Sequence, residues 1–261
     1  MDGVAVHYLH TGPTTLPDVV PPLDRGRLLV FVHAAGGTAG LWRKQMESVG
    51  REHSAVALDL PGHGRSACVD GLATVEAYAD FVARFIDVLG LRPVVLVGRS
   101  MGGAVGLTFA VSRPELVQAL VLVCTAARFD LAPERLASAR EVACGRLAQQ
   151  FTTETFSPAT GMDVMREAWT EQVKTDPRVR YGDLLACERF DGRPWLDRIR
   201  VPTLVVAGAD DQVTPPACGE ALARGIRGAR LEVIERAGHQ APLEQADGFE
   251  AVVGRFLREL A

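Results

Sequence analysis

One serine of the chain stands in a pattern that could make it a nucleophile. Ser100 is the centre of Gly98-Arg99-Ser100-Met101-Gly102, which follows the apolar run VVLV and precedes a helical pattern. In this strand–turn–helix context, G-x-S-x-G lifts a serine hydroxyl out of a sheet at the amino end of a helix. Backbone N–H groups and the helix dipole there favour developing negative charge. The pattern therefore favours a nucleophilic serine over an ordinary strand–helix turn.

A serine hydroxyl is a weak nucleophile, so it needs a base and a third group that orients the base. His239 is the candidate base, because it lies in a Gly-His step five residues after the last strand-like run of the chain. Ligands of open α/β sheets bind in loops at the carboxyl ends of the strands. The alternative interpretation of His239 is a histidine of a surface loop.

Apolar runs that predict strands recur along most of the chain. Runs such as VVLV and LVVA are apolar at every position, which is typical of strands covered on both faces. The predicted strands are Val4–Leu9, Leu28–Val32, Ser54–Leu58, Val94–Val97, Ala119–Val123, Thr203–Ala207 and Arg230–Ile234.

Helical patterns separate these runs. Apolar residues recur at spacings of three and four over Val75–Leu89, where Thr74 can cap the start and Gly90 can end the helix. Two more helices are predicted over Met101–Ser112 and about Gly248–Leu260. This alternation predicts an α/β protein with a mostly parallel central β-sheet and helices on both faces.

The alternation stops between Thr125 and Asp197. Strand-like runs vanish from that interval, while helical patterns, four prolines and a concentration of arginine take their place. We expect an inserted helical lid, or cap, over residues 126–197, and a core domain that combines residues 1–125 and 198–261. A length of 261 residues suits one large domain with such an insertion.

The charge balance argues against a nucleic-acid partner. Lys and Arg number 28 and Asp and Glu number 32, giving a net charge of −4, with no basic excess to neutralise phosphates. This balance fits a small, largely apolar substrate better than a polyanion. No histidine or cysteine cluster has metal-ligand spacing, and the glycines of AAGGTAG do not form a phosphate loop. No metal and no cofactor are therefore expected.

The sequence also predicts a cytoplasmic protein without a membrane partner. The longest apolar stretch, Met101–Val111, is too short to span a bilayer. The N-terminus lacks the basic and apolar regions of a secretory signal. The five cysteines include no C-x-x-C pair, and their odd number indicates free thiols in a reducing compartment.

The sequence resembles the α/β-hydrolase family over nearly its whole length. The motifs that carry the resemblance stand in the family's order: FVHAAGG (31–37), DLPGHGRS (59–66), VVLVGRSMGGAVG (94–106), VPTLVVAGADDQVTPP (201–216) and AGHQAPLEQ (237–245). The resemblance implies the α/β-hydrolase fold. The chain starts at what looks like the family's second strand, so the first edge strand is expected to be short or absent.

The resemblance also implies the acid of a catalytic triad. The chain order in this fold is serine, acid, histidine, and Asp210 and Asp211 both follow a strand between Ser100 and His239. The family pattern G-x-x-D-x-x-x-P aligns with GADDQVTP at Asp211. Asp211 is therefore the implied acid.

An oxyanion hole is implied at two backbone N–H groups, those of Met101 and Ala35. The family usually has His-Gly at the start of the second of these loops, whereas this chain has His33-Ala34. The alanine permits the turn only if its φ is negative.

The substrate pocket is less clearly marked in the sequence. Arg99 precedes the serine, where relatives commonly carry His, Asn, Leu or Tyr; it could bind a substrate carboxylate, but pairing with a protein acid beside the turn is favoured. Lid aromatics, among them Phe151, Trp169 and Trp195, could wall an apolar substrate pocket. Most of the lid aromatics are expected to pack the lid onto the core, with two or three in contact with substrate.

Together these features predict a serine hydrolase that cleaves a small ester or lactone through an acyl-enzyme. Two stretches, residues 99–127 and 186–216, and the short lid are similar to the 3-oxoadipate enol-lactonase branch and the carboxylesterases beside it. Two alternatives remain: a carbon–carbon bond hydrolase of ring-cleavage products, and a slow-turnover signalling receptor or binding protein of the same fold. The expected partner is a small-molecule ester or lactone, and homo-oligomer formation is left open.

Overall fold

The computed structural model describes residues 1, 3–16, 19–68, 70–91 and 93–260. Its single described sheet has seven strands: β1 (Tyr8–His10), β2 (Leu28–Val32), β3 (Ser54–Leu58), β4 (Val94–Arg99), β5 (Val117–Val123), β6 (Thr203–Gly208) and β7 (Arg230–Ile234). Their order across the sheet is β1-β3-β2-β4-β5-β6-β7. All neighbouring strands pair in parallel except β1, which runs antiparallel to β3. The predicted mostly parallel α/β fold is confirmed.

Helices connect the strands and cover the sheet. The α-helices are α1 (Arg43–Val49), α2 (Val75–Leu89), α3 (Met101–Ser112), α4 (Pro133–Ala143), α5 (Met162–Gln172), α6 (Pro177–Arg189), α7 (Pro216–Gly225), α8 (Ala241–Glu244) and α9 (Ala246–Glu259). Short 3-10 helices lie at Ala39–Trp42, Pro114–Leu116 and Arg193–Arg198. Thr74 caps α2 by accepting from the Ala77 N–H, and Gly90 ends it at a φ of +65°, both as predicted.

The apolar runs form strands because both faces of the sheet are covered. Val30 and Leu96 pack in one core cluster with residues of α2 and α3. Their neighbours Phe31 and Val97 point to the opposite face, into a second cluster with residues of α1 and α9. Side chains alternate between the two faces of a strand, so continuous burial requires apolar residues at successive positions.

The first predicted strand was wrong in its bounds. Only Tyr8–His10 pairs with β3, whereas the prediction covered Val4–Leu9. The chain before Tyr8 bonds to the loop after β3 instead: the Ala5 carbonyl accepts from the Ala67 N–H, and the His7 N–H donates to Ser66 Oγ. Because of these contacts, residues 4–7 do not continue the strand pairing with β3. The edge strand β1 is therefore short, as the family resemblance implies.

Residues between β5 and β6 are helical, with α4, α5 and α6 in succession. The two ends of this segment lie together, because Arg128 and Asp191 form an isolated antiparallel bridge and the Gly192 N–H donates to the Ala127 carbonyl at 2.7 Å. No helix among the described residues is both long and apolar enough to cross a membrane.

Candidate active site

Ser100 occupies a strained turn between β4 and α3. Its φ of +53° and ψ of −117° lie in a region that residues other than glycine rarely adopt. The Ser100 N–H donates to the Val123 carbonyl at 2.9 Å, and the Ser100 carbonyl accepts from Thr125 Oγ1 at 2.7 Å. These bonds to β5 and to the residues after it hold the turn in place, with Ser100 only 8% exposed.

The glycines around Ser100 are required by close backbone contacts. A Cβ at Gly98 would lie 2.1 Å from the Gly102 carbonyl oxygen, and one at Gly102 would lie 2.3 Å from the Val32 carbonyl oxygen. A Cβ at Gly103 would lie 2.5 Å from Thr125 Cγ2. The G-x-S-x-G spacing thus reflects how closely the start of α3 crosses β2 and β4.

His239 and Asp211 form a buried hydrogen-bonded pair beside this turn. His239 Nδ1 lies 2.8 Å from Asp211 Oδ2, and the two residues are 5% and 1% exposed. Asp211 Oδ1 accepts from the N–H groups of Val213 and Thr214 at 2.8 and 2.9 Å, and Thr214 Oγ1 donates to Oδ2 at 2.9 Å. The carboxylate is therefore fixed by the loop after β6 and can orient the imidazole.

The neighbouring carboxylate of Asp210 has a different partner. Asp210 Oδ2 accepts from Ser157 Oγ at 2.6 Å, in the segment between α4 and α5. Position in the chain left Asp210 and Asp211 equivalent, but only Asp211 is hydrogen-bonded to His239 among the described residues.

Burial and charge both act on the titration of this pair. Burial lowers the pKa of His239 below its usual value of 6.5, and Arg99 and Arg135 act in the same direction, while Asp211 partly opposes them. Burial by itself raises the pKa of Asp211. The charge and hydrogen bond of His239 and the N–H groups of Thr214 and Val213 outweigh this effect, so the pKa of Asp211 lies below its usual value. The arrangement favours a neutral imidazole beside an ionised carboxylate.

Ester hydrolysis is therefore expected to persist below pH 6.5. Protonated His239 cannot accept a proton from Ser100, so kcat/KM should fall with acid, and the lowered pKa places the midpoint below 6.5. The measurement is kcat/KM from about pH 4 to about pH 8, because that profile reports groups of the free enzyme. Circular dichroism over the same range separates acid unfolding from titration, and a midpoint above 6.5 in folded protein would contradict the assignment.

The loop after β2 lies across the cavity from Ser100. Gly36 carries its left-handed conformation, with a φ of +63°, whereas neither Ala34 nor Ala35 has a positive φ. The alanine that replaces the family's glycine is thus accommodated, because Gly36 makes the tight turn. The N–H groups of Ala35 and Met101 donate to no other residue in the described part of the chain, which leaves both available to an oxyanion.

Asp183 of α6 holds the loop after β2 by a hydrogen bond, a contact that was not predicted from the sequence. It is fully buried and accepts from the Gly36 N–H at 2.8 Å, from Tyr78 Oη at 2.6 Å and from His63 Nε2 at 2.7 Å. Burial alone would lower the pKa of His63, but Asp183 raises it above its usual value. A carboxylate on the otherwise apolar face of α6 was the signal that sequence reasoning could have used.

Ser100, His239 and Ala35 open into one cavity, but three of the predicted pocket aromatics do not line it. Phe151 and Trp169 pack edge to face with ring centres 5.8 Å apart, and Trp195 packs on Phe190 at 5.7 Å. Phe151 stays exposed and Trp169 and Trp195 are half-buried, so these three rings contact other rings outside the cavity and the prediction is corrected accordingly. The apolar walls of the cavity are instead Leu41, Phe129, Leu131, Ala168, Leu184 and Val213.

Arg99 reaches the cavity but is bound to neutral groups. Its Nη1 donates to the His239 carbonyl at 3.2 Å and to Gln240 Oε1. Among the described residues, Arg99 therefore neither pairs with a protein acid, as the sequence favoured, nor leaves its guanidinium free for a substrate carboxylate. Sequence analysis missed two further arginines in this cavity, Arg135 and Arg180, although it noted the arginine content of the segment.

Comparisons with known proteins agree with this fold. The profile of the alpha/beta hydrolase fold family matches residues 27–246. A pimeloyl-[acyl-carrier protein] methyl ester esterase of Neisseria meningitidis is 31% identical over 259 residues, with 93% of this chain and 96% of the relative covered. The 3-oxoadipate enol-lactonase 2 of Acinetobacter baylyi is 31% identical over 240 residues, with 87% and 89% covered.

Solved structures show the same likeness. An esterase from Thermogutta terrifontis superposes with a TM-score of 0.83 at 30% identity, covering 98% of this chain and 94% of the other. The enol-lactonase from Burkholderia xenovorans LB400 superposes with a TM-score of 0.84 at 27% identity, covering 99% and 98%.

Proposed function

The chain belongs to the alpha/beta hydrolase fold family, and on that premise we propose that it hydrolyses a small carboxylic ester or lactone with Ser100 as the nucleophile. The observation that carries the proposal is the shared cavity of a strained serine and a histidine whose Nδ1 is held by a buried carboxylate. These are the nucleophile, the base and the orienting acid that catalysis by a hydroxyl group needs.

The proposed reaction has two halves. Ser100 Oγ attacks the carbonyl carbon while His239 Nε2 takes the hydroxyl proton, and the resulting oxyanion accepts from the Ala35 and Met101 N–H groups. Collapse expels the alcohol, which receives the proton from His239, and leaves an acyl-Ser100. Water then attacks this ester with His239 again as the base, releasing the acid and restoring the serine.

We further propose that residues 126–197 are a cap over a core of residues 1–125 and 198–261. Support comes from the cavity walls, since Phe129, Leu131, Arg135, Ala168 and Arg180 contribute to the cavity from this segment. Substrate choice would therefore depend on the cap, while the reacting groups belong to the core.

A small ester or lactone is the substrate class that the relatives favour. One relative is named as a methyl ester esterase and another as an enol-lactonase; a methyl ester and an enol-lactone both contain an acyl–oxygen bond that hydrolysis breaks. The same nucleophile and oxyanion donors can act on an open-chain ester and on a lactone.

Trapping of the acyl-enzyme tests the proposal. A His239→Ala variant mixed with a p-nitrophenyl ester is expected to acquire one acyl group on the peptide that contains Ser100, because the good leaving group permits slow attack and the missing base blocks deacylation. The readout is mass spectrometry of the intact and digested protein.

A His239→Ala variant that also carries Ser100→Ala is the matched control and should acquire no adduct. An adduct on another residue would contradict the assignment of the nucleophile. Negligible turnover by the unmodified protein together with tight ligand binding would favour a receptor over an enzyme.

A further inference from the structure

Two arginines of the cap segment line the cavity, and neither guanidinium is hydrogen-bonded or ion-paired within the part of the chain that the structure describes. Arg135 of α4 and Arg180 of α6 both line the cavity that holds Ser100 and His239. Each is half-buried. Within the described residues, no hydrogen bond and no ion pair joins either guanidinium to another side chain or to the backbone, whereas Arg146 of the same segment pairs with Glu141 and Arg178 with Asp176.

Arg180 packs beside the loop after β2 (residues 33–37), which we call the oxyanion loop because its Ala35 N–H is a proposed oxyanion donor. A Cβ at Gly36 would lie 2.7 Å from Arg180 Cγ and 2.9 Å from its Cδ. The side-chain stem therefore lies directly on Gly36, next to Ala35. This packing places the stem of Arg180 beside the loop whose Ala35 N–H is a proposed oxyanion donor, and Arg180 lines the cavity that holds Ser100.

The positive charge of Arg135 also acts on Arg180. Burial lowers the pKa of both guanidinium groups, and the charge of Arg135 lowers that of Arg180 further. Two like charges brought together in a partly buried site destabilise each other unless an anion lies between or beside them.

The nearby carboxylates already have other partners. Asp183 accepts from Gly36, Tyr78 and His63, and Asp211 accepts from His239 and the loop after β6. Glu154 attracts Arg135 but is exposed and forms no salt bridge with it. The cavity thus keeps a local positive charge, although the whole chain has a net charge of −4.

We propose that Arg135 and Arg180 bind a carboxylate carried by the substrate, so that the substrate is a hemiester or a lactone with a free carboxylate. This inference rests on the proposed function, because it adds the charge of the substrate to the reaction at Ser100. A guanidinium binds a carboxylate with two parallel N–H donors, which positions the molecule as well as holding it. With the carboxylate fixed in the cap, the ester carbonyl is directed to Ser100 and the Ala35 N–H.

Matched esters test the proposal. The substrates are the monomethyl and dimethyl esters of succinate, glutarate and adipate, which present the same acyl carbon with and without a negative charge. The readout is the ratio of kcat/KM for the monomethyl ester to that for the dimethyl ester at each chain length. The unmodified protein is expected to prefer the monomethyl ester by about tenfold or more at one or more lengths, as for a charge-assisted hydrogen-bonded pair.

Arg135→Gln and Arg180→Gln, alone and together, are expected to lower that ratio, and the double variant should bring it close to one. Arg140→Gln and Arg189→Gln are the matched controls, since these arginines are exposed on the same two helices and lie outside the cavity. The ratio should be unchanged in both. Equal rates for charged and neutral esters in the unmodified protein, or a preference that survives the double substitution, would overturn the proposal.

Binding separates this proposal from the proposed function. Calorimetric titration of the Ser100→Ala variant with glutarate measures the carboxylate site without turnover, and adding both arginine substitutions should weaken binding by about tenfold or more. If no ester is hydrolysed but glutarate binds in an arginine-dependent way, the hydrolase assignment fails and the anion site stands. If esters are hydrolysed but glutarate does not bind, the anion site fails and the hydrolase assignment stands.

Discussion

Ser100→Ala is expected to lower kcat for a p-nitrophenyl ester by about 10⁴-fold or more, because it removes the hydroxyl on which the proposed acyl-enzyme forms. The residual rate would come from the oxyanion donors and from substrate binding, which the substitution leaves in place. Stability should change little, since alanine at a φ of +53° carries the same backbone strain as serine. The measurement is steady-state hydrolysis of the purified variant, with urea unfolding as a test of its fold.

Ser112→Ala is a suitable control for this variant. Ser112 ends the same helix that Ser100 precedes, and its hydroxyl only donates to the Phe109 carbonyl at 3.4 Å. Its rate should stay within about twofold of the unmodified protein, as for a substitution away from the reacting groups. Turnover that survived in Ser100→Ala would defeat the assignment of the nucleophile.

Asp211→Asn is expected to lower kcat by about 10³- to 10⁴-fold while preserving the shape of the site. The asparagine oxygen can still accept from the Val213 and Thr214 N–H groups, as Asp211 Oδ1 does. The NH₂ group of the asparagine would then face His239 Nδ1. Because that nitrogen would have to accept a hydrogen bond from the NH₂ group, it could not carry a proton. The proton moves to Nε2, and that nitrogen can no longer act as the base.

Asp210→Asn is the matched control, because it makes the same chemical change one residue away. Asp210 bonds to Ser157 and not to His239, so kcat should change by less than about threefold. Equal losses in the two variants would show that the geometry at His239 does not depend on Asp211 alone. A larger loss in Asp210→Asn would transfer the orienting role to Asp210.

The site is assembled by the sheet. The oxyanion loop follows β2, Ser100 follows β4, Asp211 follows β6 and His239 follows β7. These strands are parallel, so their carboxyl ends meet at one edge of the sheet even though the residues span most of the chain. The apolar runs that predicted the strands therefore also predicted where the reacting groups would come together.

Most predictions that relied on local patterns were accurate, with the bounds of the first strand as an exception. The caps of α2 and the glycines around Ser100 depend on residues within a few positions of each other, and the structure has them as the sequence implied. The pocket aromatics were predicted from composition alone. Phe151, Trp169 and Trp195 lie edge to face with other rings, an arrangement that aromatic pairs favour, and sequence spacing does not identify the neighbouring ring.

The sequence by itself determined the sheet, the turn at Ser100 and the family, because each is encoded in short runs of apolar residues and glycines. Tertiary structure alone decided that Asp183 holds the oxyanion loop and that Arg135 and Arg180 meet in the cavity. Those residues come from helices whose mutual packing no local pattern specifies. The net charge of −4 is a sum over the chain, whereas the field that a substrate meets depends on which few charges share a partly buried cavity.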